Sequence, residues 1–404
     1  MTMGSFFKVL KITVLFFVAF IIFSCGGNKE NHSVTINGKF VFSRGETVYL
    51  YDIKVYDKVA IDSVRLKESG EFSFSFEVDD AMILWLGTAE DNYVTLVCEG
   101  GEILEISADV RNIPGTYTVS GSSGSEQIQE LHFYTIAHYA KFDTLSQIWE
   151  NRKYDNDKLI LRDSLDSVAL GIYTAQEKFV MDFVETNNES LAAIMGLYQV
   201  FGRVTVLDEF EHIQLFRETA MSLKEKYPAN EHVNELMARV EKNTILMKEK
   251  EEIIKRLQPG NPVPELSLPG KDGAPVSVSD YKGYTILIYF WSATCPKSRK
   301  MNAELVNVSK LHSPRGFLLF SVSLDNNPEV WKKAIELDKL PGIHVNDQRD
   351  WHSPVVKVFN IPELPYSVLV DKDGNIVANG LSSEEINIKL YEILPFRKIQ
   401  TDVE

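Results

Sequence analysis

The segment YFWSATCPKSRKMNAEL, residues 289–305, decides the fold of the C-terminal part of this chain. Its apolar start is typical of a buried strand that ends near Phe290, and after a sharp turn a helix is predicted to begin at Pro296. Cys295 then lies where that helix begins, close to unpaired backbone N–H groups and the positive end of the helix dipole. Both favour the thiolate, so the position predicts a reactive sulfur.

Two separated signatures carry a family resemblance. Residues 290–298 read FWSATCPKS, and residues 360–374 read NIPELPYSVLVDKDG. They resemble the strand–W-x-x-x-C-x-x-C–helix and V-x-x-x-P-T-x-x-L-I-D-x-D-G patterns of TlpA/ResA-like thiol–disulfide oxidoreductases of bacterial envelopes. The resemblance implies an α/β thioredoxin-like domain over residues 258–404, with Pro365 at its cis-proline position. The alternation of strands and helices in this region favours the same class independently.

The chain departs from that family at one decisive position. Ser298 stands where the second cysteine of C-x-x-C would be, so a hydroxyl replaces the resolving sulfur. The resemblance implies catalytic roles for Cys295, Ser298 and Pro365, because a cis-proline beside the cysteine exposes a backbone edge with which a substrate strand can pair. It also implies substrate contacts at residues flanking the two signatures: Trp291, Thr294, Pro296, Lys297, Leu364 and Tyr366.

A single sulfur leaves three functions open. A dithiol site releases its mixed disulfide with the second cysteine, whereas here an external thiol would have to finish the cycle. We therefore expect monothiol exchange with protein thiols or disulfides, helped by the charges of Lys297 and Arg299, which would lower the thiol pKa. The alternative is a catalytically retired binding domain. A peroxidase is disfavoured because P-x-x-x-T-x-x-C would need Pro and Thr where Ile288 and Ser292 stand.

Composition excludes several other classes of function. The chain has 404 residues and a formal net charge of −15, which argues against nucleic acid as a partner. Its three cysteines are Cys25, Cys98 and Cys295, too few for a disulfide framework, and no spacing of cysteine and histidine is typical of a zinc site. His344 and Asp347 form only an isolated pair of potential ligands, so neither a metal nor another cofactor is predicted.

The N-terminus predicts an export signal and a lipid anchor. Lys8 and Lys11 precede a 12-residue apolar run over residues 12–23, which is too short for a comfortable membrane span. The sequence IFSCGG, in which this run ends, resembles a lipobox, with residues 1–24 as the signal peptide, Cys25 as the acylated residue and 25–33 as a tether. An uncleaved anchor is the alternative. Either way the protein is predicted in the cell envelope, and Gly26 after the cysteine favours a periplasm-facing outer-membrane lipoprotein.

Residues 34–257 divide by periodicity into a β part and a helical part. Alternating apolar residues over 34–122, with a turn expected at Asn37–Gly38, predict a small antiparallel β sandwich. This part resembles the β domain of unassigned role that precedes thioredoxin-like domains in Bacteroidetes lipoproteins. Residues 123–257 change to a helical period, with helices expected over the following segments: 125 onward, 157–185, 190–201, 208–227 and 230–257.

Two residues in these parts could carry chemistry but fit a structural role better. Cys98 shares a strand face with Val94 and Leu96, as a small buried hydrophobe would. Cys98 could resolve a mixed disulfide at Cys295 only if it were exposed. His138 lies in an aromatic helical stripe, where a packed, hydrogen-bonded histidine is more common than a ligand.

Overall fold

The computed structural model describes residues 32–395. The predicted signal peptide, Cys25 and nearly all of the tether lie outside this range and stay predictions. Between His32 and Pro395, no helix combines the length and apolar character that crossing a bilayer requires. The chain forms two compact units, one ending at Val240 and the other beginning at Glu241. The predicted limits 34–122, 123–257 and 258–404 are not tested by this division.

The first unit begins with two four-stranded sheets that pack face to face. Their strands and an intervening short helix are β1 (Ser33–Val41), β2 (Thr47–Ile53), β3 (Lys58–Arg65), β4 (Glu71–Glu77), β5 (Met82–Ala89), β6 (Asn92–Cys98), β7 (Ile103–Asp109), α1 (Ile113–Thr116) and β8 (Thr118–Ser120). The sheet orders are β4-β1-β7-β8 and β3-β2-β5-β6. Alternate residues of both sheets, such as Ile36 and Leu50, meet in one core, which confirms the predicted sandwich.

Two details of the sandwich differ from prediction. β1 and β7 pair in parallel, whereas the other strand pairs of this sandwich are antiparallel. The turn expected at Asn37–Gly38 is also wrong, because both residues lie inside the continuous strand β1. Gly38 faces Phe72 of β4, and a Cβ atom at Gly38 would come within 1.9 Å of the phenylalanine ring. The glycine therefore makes room for an aromatic neighbour rather than reversing the chain.

The rest of the first unit is mainly helical. Its elements are α2 (Ser123–Arg152), α3 (Lys158–Thr186), α4 (Ala192–Leu197), β9 (Val200–Phe201), β10 (Val204–Thr205), α5 (Ile213–Lys226) and α6 (Glu231–Arg256), in which the division between the units falls. Apolar residues of these helices pack on Ile83 and Val97 of the sandwich. The helix predicted over 190–201 is shorter than expected, because residues from Val200 onward turn into the β9–β10 hairpin.

The second unit holds a five-stranded sheet of order β15-β14-β13-β16-β17. Its elements are β11 (Ser267–Pro269), β12 (Pro275–Ser277), β13 (Thr285–Trp291), α7 (Pro296–His312), β14 (Phe317–Ser323), α8 (Pro328–Asp338), β15 (Ile343–Asn346), α9 (Pro354–Val358), β16 (Tyr366–Val370), β17 (Ile376–Asn379) and α10 (Ser383–Ile393). β13 pairs in parallel with β14 and antiparallel with β16. This mixed sheet with helices on both faces confirms the predicted α/β thioredoxin-like domain.

β13 is buried along its whole length because both of its faces are covered. Ile286, Ile288 and Phe290 point into a core that contains Phe359 at the end of α9. The alternate residues, which include Tyr289 and Trp291, pack against α7, α8 and α10. The strand thus fixes the position at which the chain leaves the sheet and turns toward Cys295.

Candidate functional site

Cys295 is the N-cap of α7, and Pro296 is the first helical residue. Its backbone is extended, with φ −88° and ψ 114°, and its carbonyl accepts the first helical hydrogen bond, from Arg299 N–H at 3.0 Å. The Cys295 N–H donates to the Ser292 carbonyl at 3.2 Å, which closes the turn after β13. The cysteine is half-buried, so its sulfur is held by the fold and still reachable.

The Leu364–Pro365 peptide bond is cis, as the sequence predicted. It lies beside Cys295, whose Sγ is 3.6 Å from the Leu364 carbonyl oxygen. The segment directly precedes β16, and Tyr366 pairs with Phe290 of β13. Two segments that are about seventy residues apart in sequence are therefore brought together by one strand pairing.

The pKa of the Cys295 thiol lies below its ordinary value. Burial raises this pKa, but hydrogen bonding from the Ser298 hydroxyl, the backbone N–H groups of Ser298 and Lys297, and the Lys297 ammonium all lower it, and together they prevail. These are the groups that the first turn of a helix presents to its N-cap. Ser298 itself is fully buried. It can therefore stabilise the thiolate but cannot form a disulfide with it.

The two cations predicted to assist the thiolate have different partners. Lys297 is exposed and pairs with Glu363 at 3.0 Å, yet its charge still acts on the sulfur. Arg299 makes a bidentate pair with Asp338, with Nε–Oδ2 and Nη2–Oδ1 distances of 2.7 and 2.6 Å. Its guanidinium is directed at that carboxylate rather than at the sulfur. Lys297 fits the expectation, whereas Arg299 instead ties α7 to α8.

A buried carboxylate that the sequence reasoning missed anchors the turn before Cys295. Asp325 follows β14 and accepts hydrogen bonds from the Ser292 hydroxyl at 2.6 Å and from Ala293 N–H at 2.8 Å. The Ser323 hydroxyl donates to the same carboxylate at 2.8 Å. Parallel strands bring their carboxyl ends to one edge of the sheet, so a carboxylate two residues after β14 was the signal available in the sequence.

A groove of about 540 Å³ opens beside the sulfur. We call it the thiol groove and define it by the residues that line it: Ser292, Thr294, Cys295, Leu324, Asp325, Asn326, Asn327, Val330, Asp350, Trp351 and Leu364. Val330 and Trp351 are large apolar side chains that remain 42% and 46% exposed. The groove can therefore receive part of a substrate next to the sulfur.

The six predicted substrate contacts do not all reach the surface. Trp291 is fully buried among α7, α8 and α10, so its prediction as a substrate contact is wrong. It follows strand alternation, which sends it to the core side of β13. The other residues lie around the sulfur with the following exposure: Thr294, Pro296 and Lys297 exposed, Tyr366 half-buried, and Leu364 nearly buried but touching Sγ through its carbonyl. Their roles stay predictions.

Cys98 and the histidines considered as ligands have structural environments. Cys98 has no exposed surface, and burial raises the pKa of its thiol. His138 bonds Gln176 through Nδ1 at 2.9 Å. Both ring nitrogens of His344 are engaged, Nδ1 with the Ser321 hydroxyl at 2.6 Å and Nε2 with the Leu340 carbonyl at 3.0 Å. His344 thus has no free lone pair for a metal, and Cys98 cannot resolve a disulfide in the folded unit.

Two regions of the chain are similar to known proteins. Residues 258–392 match the family model described as Redoxin, and residues 34–128 match a domain of unknown function, DUF4369. The chain is 24% identical over 139 residues to the thiol-disulfide oxidoreductase ResA of Geobacillus kaustophilus, a match that covers 34% of this chain and 78% of the relative. It is also 32% identical over 110 residues to the probable nucleoredoxin 1 of Arabidopsis thaliana, covering 27% of this chain and 19% of that protein.

Among solved structures, the thioredoxin domain of a thiol-disulfide oxidoreductase from Bacteroides vulgatus is 32% identical. The match covers 34% of this chain and 99% of that one, with a TM-score of 0.33. The C-terminal domain belongs to the thioredoxin-like thiol-disulfide oxidoreductase family, and it follows an N-terminal DUF4369 domain.

Proposed function

We propose that this protein is a cell-envelope lipoprotein that exchanges thiols and disulfides through Cys295 by a monothiol route. The Cys295 thiolate attacks one sulfur of a protein disulfide, and a mixed disulfide forms while the other sulfur leaves as a thiolate. A thiol from outside the chain then attacks the mixed disulfide and restores Cys295. Ser298 stabilises the attacking thiolate but cannot take over the second step.

One observation carries this proposal. Cys295 is half-buried at the N-terminus of α7 and lines the thiol groove, its sulfur is 3.6 Å from the Leu364 carbonyl of the cis peptide, and its pKa is lowered by Ser298 and Lys297. Perturbed nucleophiles in a groove are typical of working sites rather than structural ones. An inert core thiol in this chain has the opposite environment, as Cys98 shows, since burial raises its pKa.

Trapping in cells tests the exchange chemistry. Because Ser298 cannot resolve the mixed disulfide, adducts of the native protein should persist and be recovered under non-reducing conditions after acid quenching. They should disappear in Cys295→Ala and persist in Cys98→Ala, which serves as the matched control. If no adduct of the native protein depends on Cys295, exchange at this residue is the wrong function, and the alternative of a retired interaction domain is favoured.

The lipoprotein part of the proposal depends on the N-terminal residues, which precede the described range. Lys8, Lys11 and the apolar run before Cys25 support export, and Ser24-Cys25-Gly26 supports acylation. The protein should partition into a detergent phase and cofractionate with outer membranes, whereas Cys25→Ala should release it or leave its precursor uncleaved. Unchanged size and partitioning in Cys25→Ala would contradict the anchor.

A further inference from the structure

The thiol groove carries charge of one sign. Asp325 and Asp350 are the only charged residues among those that line it in the described part of the chain. Asp325 is buried and accepts hydrogen bonds from Ser292, Ala293 and Ser323. Asp350 is half-buried, and its Oδ1 accepts from Trp351 N–H at 2.8 Å.

The two cations predicted to assist the thiolate lie outside the groove, although the charge of Arg299 still acts on Asp325. Lys297 pairs with Glu363 on the exposed side of α7, and Arg299 is bound in two places by Asp338. Neither residue lines the groove. A substrate part that enters it therefore meets two carboxylates within low-dielectric walls formed by Val330, Trp351 and Leu364, and such walls strengthen the field of fixed charges.

We propose that Cys295 prefers cationic disulfides, in which an ammonium or guanidinium group lies a few bonds from the reacting sulfur and enters the thiol groove. This inference rests on the proposed function and adds its substrate class. The cationic group of the substrate lies between Asp325 and Asp350, and the hydrocarbon chain that carries it packs on Trp351. The ring face of Trp351 also attracts the cation through a cation–π interaction. Anionic disulfides are repelled by the same two carboxylates.

The chemical step is the one already described. The Cys295 thiolate forms a bond to the sulfur of the cationic half, the disulfide bond breaks, and the other half leaves as a thiolate with the electron pair. An external thiol then forms a disulfide with the captured half and returns the Cys295 thiolate. Charge selection acts on the first of these attacks.

The test compares three small disulfides on the full chain: cystamine, which is cationic, hydroxyethyl disulfide, which is neutral, and dithiodiglycolate, which is anionic. The rate of adduct formation is followed by mass spectrometry of the peptide that contains Cys295. Each rate is divided by that of N-acetylcysteine amide, so that intrinsic differences between the disulfides cancel. We expect the cationic compound to react about tenfold faster than the anionic one at low salt, with the preference lost at about 1 M salt.

Asp350→Asn should lower the cation-to-anion rate ratio about threefold, because it removes one of the two charges. Asparagine keeps the acceptor to Trp351 N–H and tolerates the φ of +55° at this position. The matched control is Asp373→Asn, which removes the same charge from the exposed turn between β16 and β17, at the opposite end of β16 from Pro365. This control should leave the ratio unchanged.

The outcomes separate the two proposals. Equal rates for the three compounds, a preference for the anion, or an equal effect of both substitutions would overturn the charge preference while leaving exchange at Cys295 intact. If none of the three disulfides forms an adduct although iodoacetamide still alkylates Cys295, the exchange function itself is wrong, and the inferred substrate class fails with it.

Discussion

Ser298 has an oxygen atom where the cysteine of the family pattern has a sulfur. With this single change the first step of the dithiol reaction can still occur, but the second cannot. A hydroxyl donates a hydrogen bond to a thiolate as readily as a thiol does, so the nucleophile remains activated. It has no redox chemistry, so the second step of a dithiol cycle is absent. The residue therefore separates thiolate stabilisation from disulfide release.

Replacing Ser298 by alanine should raise the Cys295 pKa, because a donor to the thiolate is lost while burial remains. In the native protein the alkylation rate should rise with pH around a midpoint below that of free cysteine, about 8.5. In Ser298→Ala the midpoint should move to higher pH, and the rate below the midpoint should fall. The measurement is the pH profile of iodoacetamide modification at Cys295.

Ser309→Ala is the matched control for that experiment. Ser309 is also a buried serine of α7, but it lies about four turns along the helix from Cys295. Its loss should leave the profile where it is. If both alanine variants shift the midpoint equally, the effect comes from general loosening of α7, and the assigned hydrogen bond from Ser298 is incorrect.

His344 should make the second unit less stable in mild acid. Burial lowers its pKa from 6.5 to about 4, so the neutral form is the native one. Between these values the unfolded chain binds more protons than the folded chain, and the free energy of unfolding therefore falls as pH falls from 6.5 to about 4. The loss at the lower value is at most about 3 kcal/mol.

Hydrogen exchange of the peptide that contains β15, measured in denaturant at several pH values, reports this loss. His344→Gln is the comparison, since an amide can donate to Leu340 and accept from Ser321 without titrating. Its protection should change less across the same pH range. Parallel pH dependence in both proteins would show that another group is responsible.

At the scale of elements, α2 and α3 have two unlike halves. The buried residues of α2 end at His138, and those of α3 begin at Gln176. Residues 139–175 of this helical hairpin contain no buried position, and their apolar pairing is only partial. Most helical stability in proteins comes from tertiary packing. Residues 139–175 therefore depend on helix propensity and on the contact between the two helices.

We therefore expect backbone amides of residues 139–175 to exchange about a hundredfold faster than those of residues 123–138 and 176–186. Peptide-resolved hydrogen exchange by mass spectrometry measures this directly, and the packed halves of the same two helices are internal controls. Equal protection along both helices would mean that something covers the distal half in solution.

The periodicity of apolar residues predicted most of these elements. It failed where the local structure depends on contacts with residues on a neighbouring element. Gly38 looked like a turn residue, but the ring of Phe72 on the next strand explains it. β1 pairs with β7 in parallel, which no local pattern reveals. The helix predicted over 190–201 ended early because Val200 and Phe201 found a strand partner in Val204 and Thr205.

The residues of the candidate site also differ in whether local sequence was enough to predict them. Cys295 and Pro365 were predicted because their chemistry depends on local features, a helix N-terminus and a short motif. Asp325, Asp350 and Trp351 were missed as site residues because they reach the groove only through the order of strands and the loops that follow them. Trp291 was misplaced because its motif position suggested contact, whereas strand alternation buries it.

For the whole molecule, the positions of the cysteines determine which thiol can release the mixed disulfide at Cys295. Within residues 32–395 the cysteines are Cys98 and Cys295, and Cys98 is enclosed in the core of the sandwich. Its thiol is buried with a raised pKa, so it is neither accessible nor ionised. Release of a mixed disulfide at Cys295 should therefore be first order in an added thiol such as glutathione, with a negligible rate when none is present.

Two variants decide whether this dependence comes from the missing sulfur. Ser298→Cys places a second thiol beside the first, and release should then become independent of added thiol and faster by about a thousandfold, because an intramolecular attack replaces a bimolecular one. Cys98→Ala should leave release unchanged. If the native protein instead releases its adduct without added thiol and Cys98→Ala abolishes that release, the first unit opens enough to supply the resolving sulfur, and the monothiol route is wrong.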